Sequence, residues 1–318
     1  MDLFTGIGHD HDHQLDANGA YEWWYVDALS PDGEWGVVVI LFRGMPMSPS
    51  YLEAIEAERG RPTDHCGYAV SVYHRTRRVA FAFREIDAKH FAAPDLVFEV
   101  DSTHPDLPQS IHVRVEVGES PLQDTGSASG DHGWVLVAPR VEASVSLSLA
   151  EHGIEMVRTA WSGLAYRDHN YGSRPLHGDF GDWYWGRVHA ADRTLVYLAT
   201  PNAASPILFC GEVGEGASVL LPWTDVRMET DRMRPSMMGL ITGRRITLTG
   251  TDPRGHEARL ICHNRHVVED GPFYQRYLSD WSLDGIDLGR GTSEYMLASR
   301  LGAAWIRPFL RLPLFRHG

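Results

Sequence analysis

Short apolar runs separated by turn residues dominate the chain. Residues 35–42 (WGVVVILF) are β-branched or aromatic almost throughout and follow the turn Pro31-Asp32-Gly33. Residues 111–117 (IHVRVEV) alternate apolar and polar side chains, the period of an antiparallel strand with one wet face. The same pattern predicts strands over 68–73, 79–83, 96–100, 135–137, 141–149, 194–199, 207–213, 246–249 and 258–263. Helical spacing is best developed over residues 51–58 (YLEAIEAE). Many short strands with few helices predict an all-β fold of barrel or sandwich type. Residues 124–133 read as a loop. Glu151-His152-Gly153 breaks the strand pattern and suggests a soft boundary near 150–165, dividing the chain into domains over 1–160 and 161–318.

Composition narrows the function classes. At 318 residues, 43% hydrophobic and 22% charged, the chain can bury a large core without disulfides or structural metals. Its three scattered cysteines, Cys66, Cys210 and Cys262, read as reduced and buried. A net charge of −13 opposes nucleic-acid binding. The N-terminal stretch lacks a signal-peptide pattern and no apolar run is long enough to span a bilayer, so a cytoplasmic protein is expected. There is no GxGxxG in a βαβ setting, no P-loop and no HExxH, so no cofactor and no metal are expected. The run His9-Asp10-His11-Asp12-His13 reads as a solvated, mobile polar terminus.

Two stretches concentrate chemistry. Residues 19–27 (GAYEWWYVD) carry four aromatics and two acids. They suit either a strand with core aromatics or a substrate-facing wall in which Trp23, Trp24 and Tyr25 meet an apolar ligand beside Glu22. Aromatic faces suit polyenes and stabilise cations. Residues 161–187 (WSGLAYRDHNYGSRPLHGDFGDWYWGR) pack Asp168, His169, Asn170, Tyr171 and Arg174 among tryptophans that include Trp183 and Trp185. Such a stretch suits a solvated turn-rich loop, or a carboxylic acid held by hydrogen bonds in an apolar cavity. Burial favours the protonated form of such a group, which then serves as a donor near neutral pH.

These residues carry a family resemblance. YEWWYVDALSPDGEWGVVVILF followed by SPSY, then HCGYAVSVY, then WSGLAYRDHNYGSRPL with WYWGR, and finally GPFYQRY, SEYM and RPFLRLPLFR form ordered blocks over residues 19–316. Together they resemble the carotenoid 1,2-hydratase (hydroxyneurosporene synthase) family, within the wider lipocalin-like group that includes the AttH proteins. The central block differs from that of the carotenoid enzymes: Arg174 and Tyr184 stand where those have acids. The Asp168-His169-Asn170 motif is closer to the broader lipocalin-like branch. The resemblance implies two lipocalin-like β-barrels, an apolar ligand site at or between them, and neither metal nor organic cofactor.

The activity so implied is hydration of a terminal C=C of an acyclic carotenoid, a cofactor-independent hydro-lyase reaction. It needs a proton donor within reach of carbon, a tertiary cation and a captured water. Asp168 is the first candidate donor and Glu22 the second. His169 or Tyr171 would orient the acid or the water. Trp23, Trp24, Tyr25, Asn170, Trp183 and Trp185 would line the substrate. A cyclase or Diels–Alderase-type pericyclase would use the same apolar cavity, with His169, Tyr171 or Arg174 polarising a carbonyl. A non-catalytic carrier would need only the cavity. The partner in each case is an apolar small molecule, with no nucleic-acid or protein partner indicated. Residues 303–316 (AAWIRPFLRLPLFR) suit either a closing strand or tail of the barrel or an aromatic and basic segment for peripheral membrane contact.

Overall fold

A computed structural model describes residues 1–103, 109–126 and 130–311. The last part of the C-terminal block, residues 312–316, lies outside the described residues. The protein is all-β, and it divides into two compact units, Met1–Pro175 and Leu176–Phe309.

The first unit contains β1 (Asp2–Thr5), β2 (Tyr21–Leu29), β3 (Trp35–Arg43), β4 (Cys66–His74), β5 (Arg77–Ile86), β6 (Val97–Ser102), β7 (Gln109–Val117), β8 (His132–Glu151) and β9 (Ile154–Gly172). They form a nine-stranded sheet in the order β5-β4-β3-β2-β9-β8-β7-β6, with β1 alongside β8. Two meanders, β2 to β5 and β6 to β9, are thus joined by the antiparallel pairing of β2 with β9, and the sheet curls into a nearly closed barrel. Among the described residues only β1 breaks the antiparallel rule, pairing parallel to β8 from Asp2↔Gly133 to Thr5↔Leu136.

Alternation explains which residues fill this barrel. In β7, Ile111, Val113, Val115 and Val117 are buried while their neighbours are wetter. With Trp24, Val26, Val37, Val39, Val70 and Val72 they build one apolar core. The one regular helix expected in this half, α1, spans Pro49–Glu56 and starts two residues before the predicted stretch, because proline suits the first helical turn.

The second unit repeats the scheme without repeating the sequence. Its strands are β10 (Trp183–His189), β11 (Arg193–Ala199), β12 (Leu208–Gly214), β13 (Leu221–Pro222), β14 (Thr224–Asp231), β15 (Arg234–Pro235), β16 (Ile241–Thr242), β17 (Arg245–Thr251), β18 (Glu257–Asp270), β19 (Tyr274–Leu283) and β20 (Ile286–Met296). The main sheet runs β13-β12-β11-β10-β20-β19-β18-β17-β14, so its first long strand again pairs with its last. β15 and β16 form a separate two-stranded hairpin. All three cysteines are buried and free. No helix among the described residues is long and apolar enough to cross a membrane.

The break at Glu151-His152-Gly153 is a hairpin turn. His152 (φ 51°) and Gly153 (φ 78°) are successive left-handed residues, the backbone that a tight turn between twisted strands requires. Residue 160 therefore falls within β9, whose pairing with β2 and β8 holds it in the first unit. The first half of β9 escaped the apolar pattern because Ile154 and Met156 face solvent.

The turn yields a clean test. A Cβ added at Gly153 meets nothing within 4 Å, so Gly153→Ala pays only for its left-handed backbone. The variant should lose about 1–2 kcal/mol of stability in urea denaturation. An unchanged midpoint and slope would show that the turn relaxes freely.

Candidate active site

The β2–β9 pairing sorts the candidate residues. Tyr25 lies opposite Asp168, Trp23 opposite Asn170 and Asp27 opposite Tyr166. The intervening pairs are Trp24↔His169, Val26↔Arg167 and Glu22↔Tyr171. Directly opposed residues share a face and successive residues do not. Asp168 and His169, adjacent in sequence, therefore point to opposite faces. Neither His169 nor Tyr171 stands on the face of Asp168, so neither is placed to orient it. Glu22 and Trp24 belong with His169, whereas Trp23, Tyr25 and Asn170 belong with Asp168.

On the first face Asp168 is only 6% exposed. The Trp134 indole Nε1–H donates to its Oδ2 at 2.9 Å and the Tyr166 hydroxyl to the same oxygen at 2.7 Å. Asn170 Nδ2 donates to its Oδ1 at 3.0 Å. Beside them the Tyr25 hydroxyl donates to Asp27 at 2.9 Å, and the Tyr25 ring meets that of Tyr166 edge-on with centroids 6.0 Å apart. Half-buried Trp23 stacks on Tyr21 at 5.0 Å. The Tyr21 hydroxyl in turn meets His132 Nδ1 at 2.9 Å. An acid thus sits among oriented donors on an aromatic wall. Trp134 and Tyr166 were missed as site residues. Tyr166 could have been found, because it lies two positions before Asp168, one strand period away. Trp134 carries no local signal: it reaches Asp168 only through the β8–β9 register, which sets it opposite Asn170.

On the other face lies a cluster of charges. His169 is fully buried. Its Nε2 lies 3.0 Å from Glu22 Oε1, and its Nδ1 lies 3.2 Å from Asp10 Oδ1. Arg167 is ion-paired with Asp10. His13 adds a ring nitrogen 2.7 Å from Glu22 Oε1. The Trp24 ring stacks on His169 at 4.6 Å, and half-buried Tyr171 stacks on His13 at 3.7 Å. The His/Asp run is therefore no solvated tail: the Asp10 side chain is 1% exposed. Its acids and imidazoles complement buried Arg167 and His169, partners too distant in sequence for composition to reveal.

These contacts fix the charge states. Burial pushes the Glu22 carboxyl up, but hydrogen bonds from His13 and His169 and the charge on His169 outweigh it and bring the pKa down to about 2. Glu22 is thus a standing carboxylate, which removes it as a proton donor near neutral pH. Burial works against the His169 imidazolium, yet the Asp10 and Glu22 carboxylates prevail and its pKa is raised. Burial lowers that of Arg167. The ligand atoms of His13, Glu22 and His169 all lie within 4.8 Å of one another, a spacing that could hold a divalent cation. A metal requires neutral imidazole, however, and two flanking carboxylates favour a proton on His169 instead.

The remaining candidates lie elsewhere. Trp183 and Trp185 are on β10 of the second unit, Trp183 half-buried with Phe180 edge-on at 6.3 Å and Trp185 buried. Arg174 is largely exposed, 3.5 Å from Asp131.

The charge cluster predicts a two-sided pH dependence of stability. The Glu22 contribution is complete above its ordinary value of 4.5 and is lost as pH falls toward 2. The His169 contribution is complete below its ordinary 6.5 and is lost as pH rises through its higher folded value. His169→Gln leaves buried carboxylates uncompensated and should cost about 3–5 kcal/mol, while flattening the alkaline decline. Denaturation curves across pH read both effects, and a variant as stable as the parent would show the cluster to be dispensable. At neutral pH, dialysis against a chelator should leave the melting temperature unchanged; a drop reversed by one particular ion would place a metal on His13, Glu22 and His169.

Comparison with known proteins gives these features a setting. The family model described as carotenoid hydratase CrtC matches residues 39–317. An acyclic carotenoid 1,2-hydratase of Thiocapsa roseopersicina is 28% identical over 288 residues, covering 84% of this chain and 66% of that protein. A hydroxyneurosporene dehydrogenase of Chlorobaculum tepidum is 26% identical, covering 96% and 90%. Among solved structures, CghA with Sch210972 superposes with a TM-score of 0.60 at 13% identity, covering 88% of this chain and 89% of that one. An AttH protein of Nitrosomonas europaea gives 0.53 at 14%, covering 87% and 92%. These likenesses confirm the lipocalin-like all-β fold. On the extent of the family match, the chain belongs to the carotenoid hydratase CrtC family.

Proposed function

We propose that this protein adds water to a terminal C=C of an acyclic carotenoid, with Asp168 as the general acid. The observation that carries this reading is a buried carboxyl group met by an indole N–H, a phenol O–H and an amide N–H on one aromatic wall. The names of the hydratase relatives support the substrate class.

The chemistry follows from that arrangement. The alkene π pair takes the Asp168 proton, forming a C–H bond at the less substituted carbon and a tertiary cation at the other. Negative charge develops on Asp168 as the proton leaves. Trp134, Tyr166 and Asn170 already point at the oxygens where it develops, so no reorganisation is needed. Trp23 and Tyr25 offer π faces to the cation. Water then attacks the cationic carbon and its excess proton returns to the Asp168 carboxylate, restoring the acid. His169, Tyr171 and Glu22 act from the opposite face by holding β9 and β2 in register.

Cyclisation fits less well. A pericyclase would direct donors at a substrate carbonyl, but the Tyr166 and Trp134 donors are engaged by Asp168, and His169 lies between two carboxylates. A carrier would gain nothing from three donors trained on one buried acid.

Incubation with an acyclic carotene in detergent should yield a product heavier by one water. Asp168→Asn keeps the shape but has no proton to give, and should lower the rate at least 10²–10⁴-fold with folding intact by circular dichroism. Tyr166→Phe should lower kcat with little change in KM. A parental rate in folded Asp168→Asn would eliminate Asp168 as the acid. Retained carotene binding with no product from the parent protein would favour the carrier.

A further inference from the structure

An acidic chain that handles a bilayer-soluble molecule needs one local surface on which an anionic membrane is tolerated, and the second unit carries such a surface. Arg232, Arg234, Arg244 and Arg265, with His263 and Asn264, line a cleft of about 460 Å³. Arg265 is paired with Asp280 at 3.1 Å. Arg232, Arg234 and Arg244 have no acidic partner among the described residues, and the Arg244 guanidinium lies 5.1 Å from the Tyr277 ring centroid. The cleft is positive enough to affect its own histidine: burial and the charges of Arg265, Arg232 and Arg245 lower the His263 pKa.

Beside the arginines the β15–β16 hairpin holds apolar side chains out into water. Met237 is 95% exposed, Ile241 62% and Met233 47%. The exposure is built in. Ser236 Oγ accepts hydrogen bonds from the Met238 and Leu240 N–H groups, at 3.1 and 3.0 Å, and the Ser236 N–H donates to the Leu240 carbonyl at 2.7 Å. Leu240 is fully buried. Arg300 braces the turn by donating to the Met238 and Gly239 carbonyls, each at 2.9 Å. The same guanidinium lies 5.5 Å from the ring of Trp305, which is 52% exposed. The start of the C-terminal aromatic and basic block therefore borders the hairpin. Methionine, isoleucine and tryptophan beside unpaired arginines fit the boundary between acyl chains and phosphate headgroups.

We propose that this surface docks the protein on an anionic phospholipid membrane, with the tip of the β15–β16 hairpin and Trp305 entering the interface and lipid phosphates engaging Arg232, Arg234 and Arg244. It extends the reading of a bilayer-soluble substrate, and vesicle binding is measured without substrate, so sedimentation and hydration assays fail independently. Charge complementarity selects this occupant: a chain of net charge −13 meets an anionic leaflet only where arginines outnumber acids.

The full chain should co-sediment with vesicles of phosphatidylcholine and phosphatidylglycerol, and much less with phosphatidylcholine alone. Each arginine is worth about fivefold in partitioning, so Arg232→Gln, Arg234→Gln and Arg244→Gln together should weaken binding about a hundredfold, as should high salt. Met237→Ser with Met233→Ser should weaken binding to both vesicle types and be insensitive to salt. Because the native cysteines are buried, a polarity-sensitive dye on the Met237→Cys variant should shift to the blue on adding mixed vesicles, even where a multiple variant folds poorly. Titration with inorganic phosphate provides the contrasting arm. Phosphate binding by a parent protein that ignores vesicles would make the cleft a soluble-anion site and overturn the proposal. Vesicle binding unaltered by both variant sets, with no dye shift, would overturn it equally.

Discussion

The antiparallel register of β2 against β9 is the constraint on which the rest depends. It closes the first sheet, since without it two meanders would present open edges. It also decides chemistry. With Tyr25 opposite Asp168 and Trp24 opposite His169, one run of alternating residues supplies an acid with its donors on one face and a locked charge cluster on the other. A slip of one residue would exchange the two sets. The Glu22–His169 and Asp10–Arg167 contacts oppose that slip, because it would turn four buried charges away from their partners.

The two faces illustrate opposite uses of buried charge. The Asp10, Glu22, Arg167 and His169 group pairs acids with bases and serves as a fastening. Asp168 accepts from the neutral donors Trp134, Tyr166 and Asn170. In the proposed hydration, donors already aimed at the carboxyl oxygens support the charge that appears there when the proton leaves.

The sequence made the fold largely legible because period-two alternation is a local signal. Residues 35–42 and 111–117 announced β3 and β7 directly. β9 was obscured where its first half faces solvent, and the turn at His152-Gly153 resembled a domain boundary because left-handed hairpin residues and interdomain breaks draw on the same residue types. At the site, Asp168 was legible as an acid in an aromatic stretch. Its division from His169 was not, since that required knowing that residues 161–172 form a strand. Trp134 and Asp10 were beyond local reading altogether, because each meets the site through pairing with a distant segment. The roles of Trp183 and Trp185 rest on composition alone.

The burial of the His/Asp run bears on how the chain is made. Arg167 leaves the ribosome 157 residues after Asp10. At about 5–20 residues per second, the segment that clasps the first barrel waits roughly ten to thirty seconds for its partner to be synthesised. Over that interval its carboxylates and imidazoles remain hydrated, and the polar composition that disguised the run as a tail keeps it from premature association. The clasp therefore cannot close until β9, the strand that carries Arg167 and pairs with β2, has been made.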